Sequence, residues 1–271
     1  MILEARNEMM EVRVEDSFEL LTQDEWNKYL SADFFEALRI DIEGLGITER
    51  SFFHPRLEEM VSDHNNKVGS LIITYALCKH YYDKGIPDEP WYISPGHEGQ
   101  SIQYMPNFEE EHWMRHYWFN YFSDTFYLKL SAVWDSIIDI LNHYYGLDYV
   151  EDLRLRSNVM KWLKKEKNDV FSVFEEVQNS QLYKDAQKYR TAAAHGTSAG
   201  EVSRTVDVKK DVEREIPSID KNGVITKRKV RVTEISVGAG EYTTVNTIMK
   251  NIEEYTRYSG IKIQEIIQKM Q

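Results

Sequence analysis

Arg190 and His195 stand five residues apart in the stretch "YRTAAAHG", residues 189 to 196. Arginine carries a permanent charge on a planar fork of donors that fits phosphate oxygens, and histidine takes up or gives a proton near neutral pH. Cleavage of RNA without a metal needs both: a group that moves the proton of the 2′-hydroxyl and of the leaving oxygen, and a cation for the charge developing on phosphorus. On a regular helix five residues span about 7.5 Å of rise and about 140° of rotation, so the two side chains do not share a face. One copy therefore makes a poor site. Two copies related by a two-fold axis could converge on one phosphate, and Ala192, Ala193 and Ala194 would let their backbones approach. Thr191 and Asp135 are candidate supports, and Lys188, Arg204, Lys227, Lys229 and Arg231 are candidate contacts to substrate. The plainer reading gives Arg190 an ion pair at the helix end and lets His195 cap the last carbonyls.

A second constellation is His112 and His116, four apart on a helix with Glu109 one turn earlier, which could face one metal. No glutamate of the zinc-hydrolase type lies between them, and an aromatic-rich amphipathic helix explains the stretch "EEEHWMRHYWFNYF" as well. Neither a metal nor an organic cofactor is expected at the Arg190 and His195 site. No glycine-rich phosphate loop, G-x-S-x-G elbow or Rossmann fingerprint occurs, so nucleotide-dependent transfer and acyl chemistry have no foothold.

The elements that would carry these residues are mostly helices. Thr22 is a cap for a helix with apolar positions at Trp26, Leu30, Phe34 and Leu38, and a long helix runs from about His54-Pro55 to Gly85. Residues 86 to 107 hold four prolines and form the longest irregular stretch. From Phe108 to about Tyr145 the residues Phe126, Leu130, Val133, Ile137, Leu141 and Tyr144 recur every three or four positions as a buried stripe. Shorter helices are expected at about 151 to 165 and 169 to 177, then the motif helix from Ser180 to Gly196. After Gly200 the period changes to two. The strands "TVDVKKDVEREI" and "ITKRKVRVTEIS" read as a hairpin through a three-residue loop, Lys221-Asn222-Gly223, pairing Val212 with Val232, Lys210 with Glu234, Glu213 with Arg231 and Glu215 with Lys229. One hairpin face is partly apolar and able to lie on the helices. Two helices, Tyr242 to Tyr258 and Ile261 to Met270, close the chain.

Composition fits this outline. A net charge of −12 argues against a surface coated for gripping long nucleic acid, yet residues 203 to 231 hold 9 basic against 5 acidic side chains, while residues 1 to 60 hold 6 against 15. The single cysteine, Cys78, excludes an intrachain disulfide and suits a reducing compartment. No signal segment and no apolar run of membrane-spanning length is read, so a cytoplasmic protein without a membrane partner is expected.

The R-x4-H arrangement of Arg190 and His195, late in a bundle whose long earlier helix is "FSDTFYLKLSAVWDSIIDILNHYYG", resembles the HEPN superfamily over roughly residues 118 to 200. The resemblance implies a mostly α fold: a HEPN-like helical bundle over 108–271, preceded by an N-terminal helical region over 1–107 and interrupted by a hairpin at 202–237. It implies a homodimer, and an endoribonuclease that cuts RNA without metal through a composite Arg190 and His195 site. The alternative is a noncatalytic HEPN-like module that binds RNA or a protein partner. Active branches often place Asn, Asp or His directly after the arginine, where this chain has Thr191.

Overall fold

A computed structural model of the 271-residue chain describes residues 18–45, 54–150, 152–203, 205–219 and 225–271. Helix α1, Gln23–Leu30, begins with a reciprocal cap: the Thr22 hydroxyl accepts from the Glu25 backbone N–H (3.3 Å), and the Glu25 carboxylate accepts from that of Thr22 (2.8 Å). The expected continuation through Phe34 and Leu38 does not occur. Ser31 donates its hydroxyl to the Lys28 carbonyl (2.8 Å) and Ala32 turns extended, so a tight 3-10 turn over Asp33–Leu38 follows instead. Phe34 and Phe35 both pack edge-on against Tyr75.

Helices α2, His54–Asp83, and α3, Glu110–Tyr144, form the spine, with lengths of about 45 and about 52 Å at the usual helical rise. The stripe read on α3 is buried: Phe126, Leu130, Val133, Ile137 and Leu141 are each no more than 1% exposed. Between the two helices, β1 (Tyr92–Ile93) and β2 (Gln103–Tyr104) pair antiparallel within the proline-rich stretch. Trp91 stacks on Tyr104 and also meets Tyr242, so this connection is fastened to the later part of the chain.

Helices α4 (Leu155–Glu166), α5 (Asn168–Asn179) and α6 (Gln181–His195) follow, and α7 (Val245–Met270) closes the chain. Two C-terminal helices were expected; α7 is one. Gly260, in the gap between the two expected helices, is a packing glycine: a Cβ there would come 2.7 Å from the Cβ of Ala37. One continuous core gathers Leu38, Leu71 and Cys78 with Phe119, Val173, Tyr189 and Ile263, so the division expected at residue 107 does not divide the hydrophobic packing.

Strands β3 (Val206–Ile219) and β4 (Ile225–Val237) form the inserted hairpin. Its pairs include Val212 with Val232, Glu213 with Arg231 and Glu215 with Lys229, as the three-residue loop requires, although residues 220–224 of that loop lie outside the described residues. Near the root the register shifts. Glu234 faces Lys209 rather than Lys210, because a bulge at Lys210 and Asp211, with Asp211 at φ 59°, inserts an extra residue. The apolar face does not lie on the helices: Val206, Val208, Ile235 and Val237 are 54, 48, 66 and 76% exposed.

Candidate functional site

Helix α6 starts at Ser180, whose hydroxyl accepts from the Tyr183 N–H (3.2 Å), and ends at His195. Gly196 caps it in an extended conformation, so the stop does not require the left-handed freedom of glycine. Tyr189 is buried against Tyr127 of α3, with ring centroids 5.3 Å apart, and this contact sets the rotation of the motif helix. Arg190, the next residue, is half-buried, whereas Thr191 and His195 are exposed, and so is Lys188.

The guanidinium of Arg190 is the unusual group. Its Nε is buried without a hydrogen-bond partner, and among the described residues no carboxylate pairs with it, in a chain holding 45 Asp and Glu. An unmet buried donor costs on the order of 1–3 kcal/mol, and a native structure keeps one where something else accounts for it. Among the described residues, the ion pair expected on the plainer reading is not made. His195 likewise has no side-chain partner among the described residues. Ala192 and Ala193 are half-buried and Ala194 is exposed, so this small-residue stretch presents backbone to the outside of a single copy.

Asp124 was not singled out from sequence, yet it is the α3 carboxylate that the fold brings to the end of the motif. Ser198, three residues past His195, donates its hydroxyl to Asp124 Oδ1 (3.0 Å). Burial pushes the Asp124 carboxyl up to about 6, the Ser198 bond opposes that rise, and nearby Glu201 adds to it. A carboxyl raised in this way, on the residue that holds Ser198 three positions past the exposed His195, is able to keep a proton at mildly acid pH. Its signal in the sequence was only its place on the face of α3 next to the buried stripe. Asp135 lies eleven residues, or about 16 Å, further along α3 and bonds Arg156 of α4 (3.1 Å), away from the motif end.

One helical turn before Asp124, Asn120 donates to the Gly200 carbonyl (3.0 Å), and a Cβ on Gly200 would sit 2.0 Å from Asn120 Oδ1. Asn120 also lies beside His116, whose Nε2 meets the Tyr242 hydroxyl (3.1 Å), and Tyr242 donates to Asp88 Oδ2 (2.6 Å). Asp88 accepts the Val245 N–H as well (2.7 Å), and burial raises its carboxyl. These bonds fix the chain on both sides of the hairpin to α3. His116 is thus tied into a buried chain of hydrogen bonds, while the Nδ1 of His112 accepts the Glu109 N–H (2.9 Å) at the start of α3. The two histidines are used for different purposes rather than facing one ion. Among the described residues no group of three or more His, Cys, Asp or Glu is placed to hold a metal.

Lys227, Lys229 and Arg231 lie on one face of the hairpin, opposite Pro217, Glu215 and Glu213, and Lys227 is ten residues, about 33 Å, along β4 from Val237 at the root. The fold does not gather them at Arg190. Arg204 lies outside the described residues. A cavity of about 20 Å³ between α3 and α6, lined by Tyr127, Ser131, Trp134, Tyr183 and Gln187, has room for a water molecule and not for a nucleotide. Chemistry at Arg190 and His195 would take place on the outer surface of the bundle.

The R-x4-H spacing of Arg190 and His195 late in a bundle helix, after the long helix α3, is the arrangement on which the sequence resemblance rests. A model of the Cthe2314-like HEPN family matches residues 61–267, from within α2 to the end of α7. The chain belongs to that HEPN family. The match spans most of α2 and the hairpin, beyond the 118 to 200 stretch that carried the resemblance. No curated protein and no solved structure matches the chain. The superfamily includes ribonucleases and noncatalytic members, and its domains often dimerise. No helix among the described residues is long and apolar enough to cross a membrane.

Proposed function

We propose that this HEPN protein is a metal-independent endoribonuclease whose site is composed from two copies of the chain. The observation that carries the reading is Arg190: a half-buried guanidinium whose Nε has no hydrogen-bond partner among the described residues, about one helical turn and a half before an exposed His195. In the proposed reaction the 2′-oxygen attacks phosphorus and the bond to the 5′-oxygen breaks, leaving a 2′,3′-cyclic phosphate and a 5′-hydroxyl. His195 of one copy accepts the 2′-hydroxyl proton, and His195 of the other gives a proton to the departing 5′-oxygen. The two Arg190 side chains neutralise the non-bridging oxygens, where charge builds in the transition state. Asp124 with Ser198 holds the turn that follows His195. The single thiol, Cys78, is buried and its pKa is raised by that burial, which fits a chain working in the reducing cytoplasm.

The test is cleavage of single-stranded RNA with end-group analysis. Wild type should yield cyclic-phosphate ends, spare DNA and keep its activity in EDTA. His195→Ala and Arg190→Ala should each lower the rate by about 100-fold to about 10,000-fold without unfolding the protein. Thr191 after the arginine favours the second reading, a noncatalytic RNA- or protein-binding module. That reading takes over when wild type and His195→Ala give equal cyclic-phosphate yields across a broad set of RNAs.

A further inference from the structure

The hairpin β3–β4 is the largest part of the chain that the candidate site leaves unused. Its bulge at Lys210 and Asp211 moves the apolar residues from one face to the other along its length. On the root side, Val206 pairs with Val237 and Val208 with Ile235, four β-branched side chains together on one face, each about half exposed or more. Two-stranded sheets of this kind are marginal in water unless something covers them, and both outer edges of this one are open.

RNA is a poor occupant for it. Strands β3 and β4 contain no aromatic residue on which a base could stack. Their basic groups are opposed in register, Arg231 by Glu213 and Lys229 by Glu215, and Arg214 is bonded by Glu234. A second copy of the chain fits better. The paired strands carry seven Lys and Arg against five Asp and Glu, while the rest of the chain carries 26 against 40, so the hairpin and the helical body are of opposite sign. The body also offers apolar cover: Tyr121 and Leu128, 54 and 41% exposed, lie on one stripe of α3 on either side of Asp124. The hairpin root is pinned next to that same place, since Thr243 donates to the Ala199 carbonyl (2.9 Å), Ser203 and Glu241 bridge, and Asn120 holds Gly200.

We propose that β3–β4 is a dimerisation arm: the hairpin of one copy lies across a second copy of this chain, with Val206, Val208, Ile235 and Val237 closing on the apolar stripe of α3 beside the second copy's motif helix. This rests on the composite-site reading, for it is the arm that brings the two Arg190 and His195 pairs together.

Light scattering and sedimentation of the full chain test it. Wild type should be a dimer at micromolar concentration. The variant Val208→Asp/Ile235→Asp, altered only at exposed positions, should keep its helical circular dichroism and melting while its dimer dissociation constant rises by about 100-fold or more. Replacing residues 206–237 by a short glycine linker between Thr205 and Gly238, already joined by a backbone hydrogen bond of 3.0 Å, should have the same effect. A monomeric wild type overturns the proposal, and so does a double variant that dimerises as wild type does. A double variant that stays dimeric but loses RNA binding would make the hairpin an RNA arm instead. Monomeric variants beside a wild type that yields no cyclic-phosphate ends would leave the arm standing and remove the nuclease reading.

Discussion

Substituting Asp124 by asparagine isolates the energetic cost of placing a carboxylate at the end of the motif helix. In the folded chain burial holds this carboxyl's pKa up to about 6, against about 3.9 for an unfolded aspartate. A raised carboxyl favours the folded state while protonated, so its contribution is complete below about pH 4 and is lost as pH rises through about 6. The full difference corresponds to about 3 kcal/mol. Part of the side chain still meets solvent, and about 2 kcal/mol is the expected loss between those limits. The substituted amide would keep an oxygen for the Ser198 hydroxyl and would carry no charge at any pH. Urea midpoints of wild type and Asp124→Asn should therefore agree near pH 4, and the variant should be the more stable by about 2 kcal/mol at pH 7.5. Equal midpoints at both pH values would refute the claim that burial raises the Asp124 carboxyl. If the variant also loses RNA cleavage while gaining stability, the strain at this position belongs to function.

Gly260→Ala should destabilise the chain by about 1–3 kcal/mol, because the new methyl would meet Ala37 at 2.7 Å; Ala37→Gly in the same chain should restore most of that loss in thermal melts. Tyr242→Phe removes the hydroxyl that serves both Asp88 and His116, and denaturant titration should show a loss of about 1–3 kcal/mol from the bond removed at a buried carboxylate that keeps only the Val245 N–H.

The helices were legible wherever burial follows one regular period. Phe126 through Leu141 on α3 could be read because every third or fourth residue meets the same core, and the cap at Thr22 because its reciprocal bonds use neighbours in sequence. Reading failed where a contact between distant residues decides the outcome. Gly260 has the local look of a stop and is in fact where α7 touches Ala37; the bulge falls in the charged run Lys209-Lys210-Asp211, where no side chain marks a preferred face. Asp124 was hidden for the same reason. Its significance comes from Ser198, 74 residues later, and from the burial that the two segments create together.

The same contacts explain why the motif alone is a weak guide to chemistry and the fold a better one. Arginine and histidine five apart occur by chance in many helices. Here Tyr189 turns the helix so that its ring fills the core against Tyr127, and the next residue, Arg190, reaches the boundary, where its Nε is buried with no hydrogen-bond partner among the described residues. Asp124, the acid brought to that end of the helix, accepts the Ser198 hydroxyl and so holds the turn that follows His195. On the composite-site proposal, the charge on Arg190 is kept for a group from outside the single chain. An anionic oxygen delivered at the face between two copies is what would complete it, and for that reason the oligomeric state and the cleavage assay belong in the same experiment.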